Sequence, residues 1–241
     1  MSIWITRPEA DAARLVDGLR ELGLEPVVAP LFEAHFLAVP QRFEPKVDAV
    51  LVTSRNGIRA LASAGRVTEM ADVALFAVGA GSAEEARQAG FVDVRTGPGQ
   101  AKALPALVRQ TTKGRRWHIL YARGEDISVD LAAALTEDGH SVTDPIVYRM
   151  EPTPEPADRI AAAIGSGAIE MVTLFSPKAS ERYLAQMAAS GLTSHLQTLI
   201  HACLSERVAA PLRRIGVPRI VVAAAPNLEE MLALTGRSAA K

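Results

Sequence analysis

The strongest constraint on how this chain can fold is a change of sequence grammar that occurs twice. In Asp48-Ala49-Val50-Leu51-Val52-Thr53-Ser54-Arg55-Asn56-Gly57 an apolar, β-branched run ends abruptly in small hydroxylated residues, and an Ala- and Leu-bearing helical pattern follows from Ile58. A run apolar on both faces fits a strand buried in a parallel sheet, and Ser or Thr at its end is the residue type that caps a helix. The same order returns in Val172-Thr173-Leu174-Phe175-Ser176-Pro177-Lys178-Ala179, with Pro177 suited to a first helical position. Each junction aims unpaired N–H groups and the positive end of a helix dipole at whatever lies beyond the strand, which favours an anion.

Strand and helix patterns alternate along most of the chain. Apolar spacing predicts strands over Ile3 to Thr6, Pro26 to Ala29, Ala49 to Val52, Ala74 to Val78, Val92 to Arg95, Trp117 to Tyr121 and Ser141 to Ile146. Further strands are predicted over Met171 to Phe175, Thr198 to Ala202 and Arg219 to Val222. Helical spacing covers Glu9 to Leu22, Gly57 to Ala64, Ala83 to Ala89, Lys102 to Thr111 and Val129 to Glu137. It resumes over Ala157 to Ile164, Lys178 to Ala189, Arg207 to Arg214 and Leu228 to Leu234. Such alternation means parallel strands with helices on both faces.

Two proline-bracketed segments interrupt it. Pro30 to Pro40 is extended in character and too short for a crossover, and Pro152, Pro154 and Pro156 stiffen the stretch after Met150. Read as linkers at 34–40 and 147–152, they leave about five strands between them, and about two before plus three after. The expectation is two flavodoxin-like doubly wound parallel-sheet domains. One is discontinuous (1–33 plus 153–241) and the other is inserted into it (41–146). Two consecutive domains divided near Gly97-Pro98-Gly99 would leave each with fewer strands and ignore both proline brackets. The halves also echo each other: Ser54 is followed by Val78-Gly79-Ala80-Gly81-Ser82, and Ser176 by Ala202-Cys203-Leu204-Ser205, as in a duplicated fold. Paired linkers suggest a hinge.

Composition closes off several functions. A net charge of −1 gives the molecule as a whole no electrostatic reason to seek nucleic acid or anionic lipid. No apolar run approaches the roughly 20 residues that cross a bilayer, and Ile3-Trp4-Ile5 followed by Arg7, Pro8 and Glu9 is not a signal core, so a cytoplasmic protein is expected. The single cysteine, Cys203, lies in an apolar run without a sequence-placed catalytic partner and fits a small buried residue. The histidines His35, His118, His140, His195 and His201 have no metal-binding spacing, and Val78-Gly79-Ala80-Gly81-Ser82 lacks the third glycine of a dinucleotide fingerprint.

Ligands of open α/β sheets gather outside the carboxyl ends of the strands. Those ends carry Thr6 and Arg7, Thr53 to Asn56, Gly79 to Ser82, Tyr121 to Gly124, Ser176 to Lys178 and Ser205 to Arg207. If the two domains face each other, these loops line one cleft, rich in N–H and hydroxyl donors and cations and nearly devoid of carboxylates, which suits a polyanion. Taken singly each serine is also a good helix cap, worth about 1 kcal/mol; repetition at corresponding places is what favours a site. Tyr148, where the last central strand meets the second linker, fits either packing at a junction or a proton donor.

These residues resemble the uroporphyrinogen-III synthase family along nearly the whole chain. The resemblance rests on Thr6-Arg7-Pro8, Thr53-Ser54-Arg55-Asn56, Val78-Gly79-Ala80-Gly81-Ser82-Ala83, Tyr121-Ala122-Arg123-Gly124, Val147-Tyr148-Arg149 and Phe175-Ser176-Pro177 in that order. Ser128 and Ser205-Glu206-Arg207-Val208-Ala209 depart from the family pattern. The resemblance implies a cofactor-free lyase that closes hydroxymethylbilane, a polycarboxylate, to uroporphyrinogen III. It implies Tyr148 as the catalytic acid with Ser82 a secondary donor near it. Substrate carboxylates would meet Arg7, Thr53, Ser54, Arg55, Gly79, Arg123, Gly124, Ser176, Lys178 and Ser205. Nothing demands more than a monomer, with at most transient contact to the preceding pathway enzyme. A non-catalytic two-domain anion sensor and a nucleotide-sugar or cofactor-dependent transferase remain as alternatives, the second disfavoured by the missing glycine fingerprint.

Overall fold

The computed structural model describes residues 1–43, 46–154 and 158–239. The chain opens with β1 (Ser2–Ile5), α1 (Glu9–Glu21), β2 (Glu25–Val28) and β3 (Phe32–Phe36). It continues through β4 (Ala49–Val52), α2 (Arg55–Ser63), α3 (Val67–Met70), β5 (Ala74–Ala77), α4 (Ala80–Ala89), β6 (Val94–Thr96) and α5 (Leu104–Thr112). Next come β7 (His118–Tyr121), β8 (Arg123–Gly124), α6 (Leu131–Glu137), β9 (Ser141–Thr143) and β10 (Ile146–Pro152). The remainder is α7 (Asp158–Gly165), β11 (Ile169–Leu174), α8 (Pro177–Ala189), β12 (Ile200–Cys203), α9 (Glu206–Arg214), β13 (Ile220–Val222) and α10 (Leu228–Ala239).

Contacts divide the chain into two compact units, one of residues 1–33 and 151–241, the other of 34–150. Each holds a five-stranded parallel sheet, ordered β13-β12-β11-β1-β2 in the first unit and β6-β5-β4-β7-β9 in the second. Counted along the chain, the first sheet has the flavodoxin-like order 2-1-3-4-5 and the second reads 3-2-1-4-5. Starting the first count at β11 instead of β1 makes the two orders identical. The sheets are therefore the same arrangement with the chain begun at a different strand, and β4 corresponds to β11, β5 to β12 and β7 to β1.

Both sheets are covered on both faces, as parallel sheets require. In β1, Trp4 points toward Tyr183 of α8 and Leu212 of α9, while Ile3 and Ile5 pack with Leu15 and Leu19 of α1 and Met231 of α10. In β4, Val50 and Val52 meet Ile58 and Leu61 of α2, while Ala49 and Leu51 meet Leu104 of α5 and Leu131 of α6. This alternation along each strand is the period-two geometry of the pleat.

Several boundaries differ from the sequence expectation. The stretch 147–152 and the start of 34–40, expected as linkers, are hydrogen-bonded strands: β3 and β10 are neighbours in a three-stranded sheet ordered β3-β10-β8, while 37–40 is not strand. Prolines suggested bare extended chain, yet Pro152 only ends β10 and Pro30 precedes β3, the edge positions a proline tolerates. The single strand expected over Ser141 to Ile146 is two, β9 and β10, broken at Asp144-Pro145 where proline lacks an N–H for the ladder. Helices α2 and α4 begin at Arg55 and Ala80, ahead of the apolar periodicity, because a first turn needs a cap and not an apolar face. The strand expected from Val92 starts at Val94, leaving Val92 76% exposed. Of the helix expected from Ala157, that first residue lies outside the described residues, and α7 runs from Asp158.

Candidate active site

The junction after β4 is built as its sequence suggests. Ser54 is extended (φ −149°, ψ 153°), caps α2, and its Oγ accepts the Asn56 N–H at 3.2 Å. Gly57, one turn in, lets the helix approach β7's exit: a Cβ there would sit 2.6 Å from the Ala122 carbonyl oxygen. Beside the cap, the Thr53 hydroxyl lies 3.4 Å from the Tyr121 hydroxyl at the end of β7.

Tyr148 is placed by β10. It pairs in register with Gly124 of β8, and its carbonyl accepts the Glu125 N–H at 3.0 Å. A Cβ on Gly124 would stand 2.6 Å from Tyr148 Cζ and 2.8 Å from its hydroxyl, so only glycine admits the ring here. A pocket of about 490 Å³ opens between these strand ends, wholly within the second unit. Thr53, Tyr121, Tyr148, Asp126, Ile127 and Val129 line it, with Val78, Gly99, Ala101 and Ser128 completing the wall.

Burial pushes both phenols above the ordinary tyrosine range. For Tyr148 a hydrogen bond with Ser54 opposes the shift, and the neighbouring Tyr121 and Asp126 add to it. For Tyr121 the Thr53 contact and the Arg123 charge pull the other way. Tyr148 is protonated at neutral pH, as an ordinary phenol is, and its surroundings move it further from ionisation.

The expected site residues separate into three groups. Thr53 and Tyr148 line the pocket, Ser54 bonds Tyr148, and Gly124 seats its ring. A second group from the same unit stands around the pocket without lining it. The Arg55 guanidinium donates to the Gly81 carbonyl at 3.3 Å, and Gly79 begins α4 against Gly99. Ser82 is buried in the first turn of α4, and the side chain that bonds Tyr148 is Ser54. Arg123 is held by Asp144 at 3.0 Å and donates to the Gly124 carbonyl at 3.2 Å, which ties β8 in place. A third group belongs to the first unit. Ser176 caps α8 and accepts from Ala179 N–H at 3.1 Å, and Ser205 begins α9 with no side-chain cap bond. There too, Arg7 lies over the Phe175 ring at 4.5 Å and Lys178 over Phe32 at 5.5 Å.

Tyr121, which the sequence places among the strand ends, is the last residue of β7 and lines the pocket. Asp126 escaped sequence reasoning, and the irregular 125–130 loop brings this one carboxylate into the wall. Among the described residues no group of three or more His, Cys, Asp or Glu could hold a metal, and no helix is long and apolar enough to cross a membrane.

Two doubly wound sheets of matching order, with hydroxyl caps at their carboxyl ends and a buried phenol in a pocket at one of them, define a doubly wound α/β protein with a candidate site at its strand ends. The family model described as uroporphyrinogen-III synthase HemD matches residues 13–233, and the chain belongs to that family. It is 24% identical over 95% of its length to the porphyrin biosynthesis protein HemD of Ruminiclostridium josui, and spans about half the length (47%) of that curated relative. Among solved structures it resembles the uroporphyrinogen-III synthetase of Helicobacter pylori at 15% identity, covering 97% of both chains with a TM-score of 0.65. A mutant uroporphyrinogen III synthase of Thermus thermophilus matches at 23% identity, over 100% of this chain and 99% of its own, with a TM-score of 0.58. At these identities the structural likenesses establish the fold.

Proposed function

We propose that the chain is a cytoplasmic, monomeric hydro-lyase that closes hydroxymethylbilane to uroporphyrinogen III, inverting the last pyrrole ring and releasing water. The observation that carries this reading is the Tyr148 phenol, a proton donor set in a pocket at the strand ends, bonded by Ser54 and seated by Gly124. Family membership supplies the reaction class.

Tyr148 donates its proton to the terminal hydroxyl as the C–O bond breaks, so that water leaves and an azafulvene cation forms. The far ring attacks this cation at its substituted carbon, giving a spiro intermediate, and fragmentation and reclosure invert that ring. The proton lost when the ring regains aromaticity returns to Tyr148, which closes the balance. Pyrrole nitrogens supply the electron push, so the protein's work is to fold the chain, choose the point of attack and deliver one proton. Ser54 orients the phenol, and backbone N–H groups at the starts of α2 and α4, in the same unit, hold substrate carboxylates. The bilane is supplied by the preceding pathway enzyme, whose contact with this chain is transient.

The test is to incubate purified protein with freshly made hydroxymethylbilane and resolve the product isomers. Type III product is expected; only type I, which forms spontaneously, would reject the reading. Tyr148→Phe is expected to lower the rate by about 10²-fold, the lower end for loss of a positioned acid, with a melting temperature close to that of the parent.

A further inference from the structure

Resting on the proposed reaction, we infer that Asn56 is a positioning residue for Tyr148, its side-chain amide tying β10, the strand that carries the phenol, to the first turn of α2. Asn56 stands second in α2 and is buried, 7% exposed, where an amide is costly unless its polar atoms are satisfied. Its Nδ2 donates to the Met150 sulfur at 3.4 Å, and Met150 lies two residues beyond Tyr148 on β10, the spacing of one strand face. Its Oδ1 accepts from the Arg59 guanidinium at 3.4 Å. A guanidinium only donates, so the amide oxygen faces Arg59 and the NH2 group is left for the sulfur. Arg59 is in turn fixed on Glu85 of α4 by two hydrogen bonds, at 2.9 and 2.8 Å. The series from Glu85 through Arg59 and Asn56 to Met150 thus joins α4, α2 and β10 beside the acid. The Asn56 backbone N–H acts at the hydroxyl end, donating to the Ser54 Oγ that bonds the phenol.

Capping and packing do not by themselves call for this amide. Ser54 caps α2 through the Asn56 backbone alone, and a leucine of similar shape would fill the same space. Because β4 corresponds to β11, Asn56 corresponds to Lys178 of the first unit, whose ammonium lies over the Phe32 ring at 5.5 Å. The unit with the phenol in its pocket has an amide at this place, and the other has a cation. A thioether is a weak acceptor, so the bond to Met150 adds little to stability. What it supplies is direction: it fixes β10 along its length while Gly124 seats the Tyr148 ring from β8. A proton donor gains most from such fixing, since a displacement of about 1 Å is worth on the order of 10²-fold in rate.

The experiment measures kcat and KM on hydroxymethylbilane for the parent, Asn56→Leu and Met150→Leu, and repeats both substitutions in a Tyr148→Phe background, each protein beside its urea unfolding curve. Asn56→Leu keeps the backbone bond to Ser54 and removes the amide. It is expected to lose about tenfold in kcat with KM within about twofold of the parent. In Tyr148→Phe, which has no proton to position, the same substitution should change the rate by less than about twofold. Met150→Leu nearly conserves volume and so folds, and it decides the matter should Asn56→Leu not fold. It is expected to lose about threefold in kcat, with no loss in the Tyr148→Phe background. A kcat at the parent value, a loss confined to KM, or an equal loss with and without the phenol overturns the inference. If the parent itself yields only type I product, the reaction reading fails; if it yields type III and both Asn56→Leu and Met150→Leu match its rate, this inference fails alone.

Discussion

Replacing Gly124 by alanine separates the position of Tyr148 from its chemistry. Gly124 does not use the left-handed backbone region, so the change adds a methyl group without backbone strain. The new Cβ would lie 2.6 Å from Tyr148 Cζ, 2.9 Å from Cε2 and 2.8 Å from the hydroxyl oxygen. Carbon atoms pack at about 3.5–4.0 Å, so the ring must retreat by about 1 Å. Gly124 and Tyr148 are both buried, with Tyr148 9% exposed, and such overpacking costs about 1–3 kcal/mol. A displaced acid loses more: misplacing a reacting group by about 1 Å is worth on the order of 10²-fold in rate. The assay measures uroporphyrinogen III formation for the parent, Gly124→Ala, Tyr148→Phe and the double variant, each beside its urea unfolding curve. Phenylalanine keeps the ring but not the proton, so the double variant should be no slower than Tyr148→Phe. Losses that multiply in the double variant, or a Gly124→Ala enzyme at the parent rate, would refute the idea that the glycine serves the phenol.

Two further outcomes follow from buried groups in the first unit. His201 is fully buried, 3.0 Å from the Tyr183 hydroxyl, and burial lowers its pKa to about 4 from an unfolded value of 6.5. The unfolded chain therefore binds the extra proton first. The stabilisation is complete above pH 6.5 and fades as pH falls toward 4, by about 3 kcal/mol in all; urea unfolding from pH 7.5 to 4.5 should show this slope, reduced in His201→Gln, and an unchanged slope in that variant would refute it. Cys203 is also fully buried with its thiol pushed up to about 12, so a disulfide reagent at pH 8 should leave it untouched until the protein unfolds, and rapid stoichiometric labelling of native protein would contradict its placement.

What could be read from sequence was what local chemistry decides. Ser54 and Ser176 advertise helix caps because their own hydroxyls can accept a first-turn backbone N–H, and in the fold they accept from Asn56 and Ala179. The apolar runs of β4 and β11 advertise central parallel strands for the same local reason. The three-stranded sheet was hidden because prolines near Pro30 and Pro152 are strong local signals, while the pairing of β10 with β8 depends on residues far apart in sequence. The pocket wall was hidden likewise. Nothing periodic marks the 125–130 loop, and that Asp126 joins Tyr148 in the wall depends on loop path, which sequence spacing does not encode.

The identical strand order of the two sheets, reached from different starting strands, has a consequence for how the chain is made. The second sheet is encoded without interruption within residues 34–150, whereas β1 of the first sheet pairs with β11, with Ser2 opposite Ile169. During synthesis the inserted unit can complete its core while Ile3, Trp4 and Ile5 still wait for half their partners, and such long-range pairing is slow. Pulse-labelling hydrogen exchange should accordingly find β4 and β5 amides protected before those of β1, and the reverse order would refute this. The exposed N-terminal strand is then the moment of greatest risk for aggregation, and the natural place for a chaperone to act.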